Sequence, residues 1–177
     1  MMSFIQREGR ASTRSFRVDR ALNNELEAEA EKQGVSVSYI LETLVEDYLN
    51  QYRWADRFVE LTLQPHTLNE FLEHLDEDTL SKIGYNTGST TPRQRLLMRG
   101  KEVNEENVME IIKTLGDYDN WYSISFHDAE KPYLFIRNKH GKKWATFLES
   151  YLTGLYKNIL GIEIKCKRIG DNIQISM

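Results

Sequence analysis

Polar and apolar residues alternate near the start of the chain. Phe16 and Val18 are apolar, and Ser15 and Arg17 occupy the alternate positions. A period of two is typical of a half-buried strand, whose successive side chains point to opposite faces. The pattern therefore predicts a strand within residues 13–19 that buries Phe16 and Val18 and turns Ser15 and Arg17 outward.

Two amphipathic helices are expected after this strand. Asp19 can cap the first helix, from about Arg20 to Gln33, and Gly34 supplies the left-handed residue that ends it. Ser36 can cap the second helix, in which apolar residues recur at helical spacing. The apolar residues of the second helix are Val37, Ile40, Leu41, Leu44, Val45, Tyr48 and Leu49.

One strand and two short helices cannot bury this many apolar groups in a monomer. About fifty residues give too small a core for this many apolar groups, and a lone strand leaves its backbone groups unpaired. A two-fold homodimer would pair the two strands antiparallel and place four helices around one core. The resulting two-stranded ribbon would carry Thr13, Ser15 and Arg17 outward, and such a ribbon fits the major groove of double-stranded DNA.

The order of strand, helix, turn and helix, with Gly34-Val35-Ser36-Val37-Ser38 at the turn, resembles the ribbon-helix-helix family, or MetJ/Arc superfamily, over residues 12–52. The resemblance implies a sequence-specific DNA-binding transcriptional regulator, of the kind found among prokaryotic repressors, that inserts the antiparallel β-ribbon of a dimer into its operator. It implies Thr13, Ser15 and Arg17 as base-contacting residues. Arg17 can make a bidentate contact to guanine.

The resemblance also implies contacts to DNA phosphates. The expected phosphate contacts are made by the backbone N–H groups around Ser36, Val37 and Ser38, where the free N–H groups and the dipole of the second helix favour anions. Arg14 occupies an inward position that is usually apolar in the family. Either its guanidinium swings to a phosphate or it is an ordinary solvated residue. Arg10, further out on the chain, is expected to contact phosphate only.

Charge is distributed unevenly along the chain. The formal net charge of −4 does not by itself suggest a nucleic-acid partner. Residues 1–20, however, hold five arginines against two acidic residues, and residues 131–168 hold nine basic residues against two acidic ones. Residues 1–11 are therefore expected to form a basic arm, whereas the C-terminal basic stretch is also compatible with an ordinary solvated face.

Residues 58–177 are expected to form an α+β domain for sensing or oligomerisation, after a short linker or helix extension at residues 53–57. The expected fold is thus an N-terminal ribbon-helix-helix, a βαα unit in an intertwined dimer, followed by an α+β C-terminal domain. Strands are expected at 58–63, 121–127, 133–138, 162–168 and 172–177. Four helices are expected: one that Thr67 opens, with Leu68, Phe71, Leu72 and Leu75 inward, a short one that ends near Gly84, one that Asn104 caps, and one from Lys142 to Leu160. A loop is expected from Asn86 to Pro92.

No catalytic or metal site is recognisable in the sequence. The histidines His66, His74, His127 and His140 do not have the spacing of the nickel-responsive members of the family. Cys166, the single cysteine, shares a strand face with apolar neighbours and is expected to be a small buried residue. We therefore expect no enzyme activity and no cofactor.

The sequence holds no apolar run long enough for a transmembrane helix, and its start lacks the apolar core of a signal peptide. We expect a cytoplasmic, nucleoid-associated protein without a membrane partner. Its C-terminal domain would bind a small-molecule effector, assemble dimers into a dimer of dimers, or dock a partner. The alternative is the antitoxin of a toxin–antitoxin pair, with a toxin-binding C-terminal part. Such tails are typically short and disordered when free, whereas residues 58–177 are rich in aromatic residues and capped helices.

Overall fold

The computed structural model describes residue 9 and residues 12–54, 61–128 and 132–176. The chain divides into two compact units, Met1–Glu60 and Leu61–Met177. Arg10 and most of the predicted linker at residues 53–57 lie outside the described residues, whereas Arg53 and Trp54 are helical.

The described residues of the first unit form two helices, and both predicted helices are confirmed. Helix α1 spans Arg20–Gln33, and helix α2 spans Val37–Asp47 and continues as a π-helical segment, Tyr48–Tyr52. Asp19 Oδ1 accepts a hydrogen bond from the N–H of Ala21 at 2.8 Å, and Ser36 Oγ accepts one from the N–H of Tyr39 at 3.1 Å. Gly34 has φ of 67° and ends α1 in the left-handed conformation that glycine adopts readily.

The prediction of an N-terminal βαα ribbon-helix-helix fold is wrong. The first element of the described residues is α1, and residues 12–19 form neither helix nor strand. The strands of the described residues all lie between Tyr122 and Ser176. A strand needs a neighbouring strand for its backbone N–H and C=O groups, and the one sheet of the described chain does not include residues 12–19. Residues 12–19 are exposed to water instead.

The second unit combines helices with one antiparallel sheet. Its described elements are α3 (Pro65–Glu73), α4 (Glu77–Met98), α5 (Glu105–Asp117), β1 (Tyr122–His127), β2 (Tyr133–Asn138), α6 (Gly141–Leu155), β3 (Lys165–Ile169) and β4 (Asn172–Ser176). Helix α6 continues as a π-helical segment, Tyr156–Leu160. The four strands lie in the order β1-β2-β4-β3, and every neighbouring pair is antiparallel.

One face of the sheet forms the core of the second unit together with the helices. Alternate residues of β2 and β4 are buried and belong to one apolar cluster with residues of α4, α5 and α6. The residues of the sheet in this cluster include Leu134, Ile136, Ile173 and Ile175, and the helical ones include Leu96, Ile112, Leu148, Leu152 and Leu155. Asn104 Oδ1 caps α5 by accepting from the N–H of Asn107 at 2.9 Å, as predicted. The β3–β4 hairpin turns at Gly170, where φ is 63°.

The predicted loop at residues 86–92 and the predicted helix end near Gly84 are wrong, because both lie inside α4. Gly84, Gly88 and Pro92 are buried on one face of α4, which packs against α6. A Cβ atom at Gly88 would overlap the carbonyl oxygen of Tyr151, so the two helix backbones meet closely there. Residues that resemble loop formers by composition are therefore the contact surface of a helix pair.

Three smaller predictions for the second unit also fail. Helix α3 begins at Pro65, a favourable first helical residue, with Gln64 as its N-cap instead of Thr67. Phe71 was expected inward but is 59% exposed, whereas Leu72 is buried. Residues 61–64 form neither helix nor strand, so the described part of the predicted strand at 58–63 is also wrong.

Candidate nucleic-acid interface

The residues predicted to contact DNA bases lie on the segment that precedes α1. Thr13, Ser15 and Arg17 are all exposed, and so is Arg14. Phe16 and Val18, which were expected to point inward, are 64% and 37% exposed. The segment therefore presents its polar and its apolar side chains alike to solvent, and it lacks the two distinct faces that the sequence predicted.

The residues predicted to anchor phosphate lie at the start of α2. Ser36 uses its hydroxyl to cap the helix, and the first intrahelical backbone bond runs from the N–H of Ile40 to the carbonyl of Ser36. The N–H groups of Val37 and Ser38 precede that bond, so they are the groups that point out of the helix end. Ser36 and Ser38 are exposed and Val37 is half-buried, which leaves this helix end accessible to an anion.

The helices of the first unit expose a large apolar surface, which we call the apolar face. In α2 and its π-helical continuation, successive turns place large side chains at the surface, and α1 adds one more. Ala30 is the only buried apolar residue among the described residues of this unit. The apolar face consists of Leu44, Val45, Tyr48 and Tyr52; Tyr39 lies nine residues before Tyr48, on the opposite side of the helix, and is exposed as well, as is Leu22 of α1.

The second unit contains a cavity at the end of the sheet formed by β1 and β2. The cavity has a volume of about 250 Å³, and its walls are mostly apolar. This volume is below the range of about 300–1,000 Å³ that is usual for drug-sized ligands, so it suits a small apolar molecule. Burial raises the pKa of Tyr156 to about 12, which keeps its hydroxyl neutral. The walls include Met109, Phe126, Tyr133, Leu134, Tyr156 and Ile175.

Cys166 lies on β3 against α6. Its Sγ is 4.0 Å from Oγ1 of Thr153, and burial raises the pKa of the thiol to about 11. The Cys166 side chain is half-buried beside the core, so the prediction of a buried small residue holds only in part. Within residues 12–54, 61–128 and 132–176, no three His, Cys, Asp or Glu side chains are grouped as a metal site would require.

The ion pair between α4 and the segment after α5 is structural. Arg95 Nη1 lies 3.1 Å from Asp119 Oδ2, and both side chains are largely buried. Burial raises the pKa of Asp119, and the neighbouring Arg95 opposes that rise. The pair ties two segments of the second unit together, and sequence reasoning did not find it because its members are far apart in the chain.

Sequence reasoning also assigned no role to the outward face of the sheet. The sequence of β3 nevertheless alternates charged and apolar residues, with Lys165 and Lys167 on either side of Cys166, and this pattern indicates a charged outward face. In the structure both lysines are exposed, on the face opposite to the helices.

None of the helices in the described residues is both long enough and apolar enough to cross a membrane. Comparison of the chain with protein-family models, with curated proteins and with solved structures finds no match.

Proposed function

We propose that the chain is a DNA-binding transcriptional regulator that acts as a homodimer through its N-terminal unit, on nucleoid DNA in the cytoplasm. The observation that carries the proposal is that one small unit holds both an exposed arginine-rich segment and the apolar face. The apolar face supports self-association, and the arginines support binding of a polyanion.

The homodimer follows from the cost of leaving the apolar face in water. A large apolar side chain gains about 1.5–3 kcal/mol when it is fully buried, and the described residues of the first unit, 12–54, include no buried large apolar side chain. Leu44, Tyr48 and Tyr52 are spaced four residues apart, so they form one stripe along the helix surface. A second copy presents the same stripe, and a two-fold axis between the copies would cover both stripes at once.

The binding of DNA follows from the charge of the segment before α1. Arg14, Arg17 and Arg20 are exposed, and a dimer doubles their number. Arginines neutralise phosphates and release counterions, which supplies most of the affinity for any duplex. Base recognition by Thr13, Ser15 and Arg17 remains a prediction, in which Arg17 makes the most specific contact, to guanine. The N–H groups at the start of α2 would fix the register on a phosphate.

The antitoxin alternative is not favoured by the second unit. A toxin-binding tail of that class typically lacks a core when free, whereas residues 61–128 and 132–176 form helices and a sheet around many buried side chains. Such a unit is suited to binding an effector, and the cavity beside Phe126 and Tyr156 is where a small apolar effector would bind.

Selection of duplex sites from random sequence, followed by titration of the full-length protein, tests the proposal. We expect Arg17→Ala to cost about 1–3 kcal/mol on the selected site and less on a scrambled duplex, because a base contact is lost. Arg10→Ala should weaken both duplexes alike and lower the slope of log K against log salt by about one per phosphate contact.

Lys82→Ala is the matched control, since Lys82 is an exposed lysine on α4 of the second unit. It should change neither affinity nor slope. If no site is enriched, and if duplex binding is absent or unchanged in Arg17→Ala and Arg10→Ala alike, the proposed function is wrong.

A further inference from the structure

The sheet of the second unit has one covered face and one open face. On β3, Arg168 Nε donates to Glu149 Oε2 at 2.9 Å, and its Nη2 donates to Thr146 Oγ1 at 2.7 Å, so Arg168 points to helix α6. Side chains alternate across a strand. Lys165 and Lys167 therefore point away from the helices, and both are exposed.

The register of the strands places an aromatic group beside these lysines on the open face. Phe135 lies opposite Ser125 on β1 and opposite Gln174 on β4, and Gln174 lies opposite Lys167 on β3. In the neighbouring cross-strand row, Tyr133 of β2 lies opposite Ser176 of β4, and Ser176 lies opposite Lys165 of β3. Each row thus runs across the sheet from an aromatic ring to a lysine about two strand spacings, or about 10 Å, away.

The rings on the open face are already arranged as a stack. The ring of His127 lies parallel to that of Tyr133, with centroids 4.7 Å apart and an angle of 12° between the planes. The same histidine ring meets Phe135 edge-on at 6.4 Å. Because His127 is exposed and both partners are half-buried, the rings are held by the sheet and still reach solvent.

The open face is cationic as well as aromatic. Arg137 of β2 is exposed. It lies two residues after Phe135 on the same strand, so the two side chains point to the same face. None of the outward positions of these four described strands carries Asp or Glu; exposed Asp128 directly follows β1, and Glu163 and Asp171 lie in the segments that flank β3. The outward positions are Ser123, Ser125, His127, Tyr133, Phe135, Arg137, Asn172, Gln174, Ser176, Lys165, Lys167 and Ile169.

We propose that this open face binds single-stranded nucleic acid, with bases stacked on the rings of β1 and β2 and the backbone along the basic residues of β2 and β3. Stacked aromatic rings beside a cationic track are the two components by which proteins hold single strands without reading their sequence. A duplex hides its bases, so it could use the cations but not the rings. The site is separate from the duplex-binding function proposed for the N-terminal unit and does not depend on it.

The test is a titration of the full-length protein with labelled oligothymidylate and oligouridylate of about 16 nucleotides, the upper range of such sites. The two oligonucleotides distinguish DNA from RNA as the preferred strand. Phe135→Leu keeps an apolar side chain and removes the ring, and it should weaken binding about tenfold, within the range measured for one stacked base. Lys167→Gln should lower the salt slope by about 0.7, the value for one contact to a single strand.

Two matched controls lie away from the sheet. Phe71→Leu removes an exposed ring from α3, and Lys157→Gln removes an exposed lysine from the segment after α6. Neither should change single-strand binding, and Arg17→Ala should leave it unchanged as well. Conversely, Phe135→Leu should leave duplex binding as it was, because a duplex does not use the rings.

Heparin, a polyanion without bases, serves as competitor and separates stacking from charge alone. The proposal predicts that heparin displaces the oligonucleotides. It also predicts that Phe135→Leu does not change the affinity of the protein for heparin. The proposal is overturned if the full-length protein does not bind either oligonucleotide, if Phe135→Leu binds both as the natural protein does, or if Lys167→Gln leaves the salt slope unchanged.

Discussion

At the scale of single residues, burial decides which ionisable groups are reactive. Cys166 is the only cysteine of the chain, and its thiol lies between β3 and α6 with Thr153 beside it. Burial disfavours the charged thiolate and raises its pKa from an ordinary value of 9.0 to about 11. Since the thiolate is the nucleophile, Cys166 is expected to be inert near neutral pH.

Alkylation measures this directly. We expect iodoacetamide to modify the folded protein slowly at pH 8 to 9 and faster only as the pH approaches about 11. The stability of the fold should not depend on this thiol below about pH 9, and it should decline as pH rises through the folded pKa, because folding disfavours the thiolate. Protein unfolded in guanidinium is the control. A titration of the folded protein with a midpoint near 9 would contradict the burial of Cys166.

Three of the predicted helix caps are confirmed, whereas the cap predicted at Thr67 is wrong. Asp19, Ser36 and Asn104 accept hydrogen bonds from N–H groups two or three residues ahead, so the signal and the structure it produces are adjacent in the chain. The base-contacting assignments for Thr13, Ser15 and Arg17 have no such local basis. They depend on a partner molecule, and they remain predictions.

At the scale of elements, α4 shows how tertiary packing overrides local composition. Its middle is rich in Gly, Ser, Thr and Asn and contains Pro92, which by propensity favours a loop. Gly84 and Gly88 lie one above the other on the buried face and let α4 approach α6 closely, and Gly154 does the same from the side of α6. Ser81 and Ser150 add a hydroxyl contact of 2.7 Å between the two helices.

Gly88→Ala tests this helix contact. The added Cβ would overlap the backbone carbonyl of Tyr151, which cannot move aside as a flexible side chain can. Overpacking of this kind costs about 1–3 kcal/mol or more and exceeds the gain of about 1 kcal/mol that alanine brings to a helix. Asn86→Ala, at an exposed position of the same helix, is the control and should be neutral or slightly stabilising. Equal unfolding midpoints in denaturant for the two variants would refute the close crossing.

Elements with a clear apolar period were predictable, and the rest were not. Helix α5 and strand β2 follow the patterns of period 3.6 and period 2, because each has one buried face. The alternation around Phe16 has the same appearance in the sequence but forms no strand, since no second strand is beside it. An apolar period therefore indicates which face of an element can be buried. Whether that face is buried depends on the neighbouring strand or helix.

At the scale of the whole molecule, the two units differ in how their apolar residues are used. The second unit buries a large cluster of apolar side chains among its own helices and strands. The first unit leaves Leu44, Val45 and Tyr48 more than half exposed, and Ala30 is the one buried apolar residue within its described residues 12–54. Two short helices that bury so little apolar surface need a partner for stability, and this is the reason to expect two copies.

Sedimentation equilibrium of the full-length protein is the most direct test of that expectation, because DNA binding as proposed depends on the dimer. At micromolar concentration we expect a mass twice that of the 20.8 kDa chain. Leu44→Glu should return the mass to that of one chain, because it places a charge in the buried interface, whereas Glu25→Gln on the polar side of α1 should not. A natural protein that sediments as a folded monomer at this concentration would contradict the account.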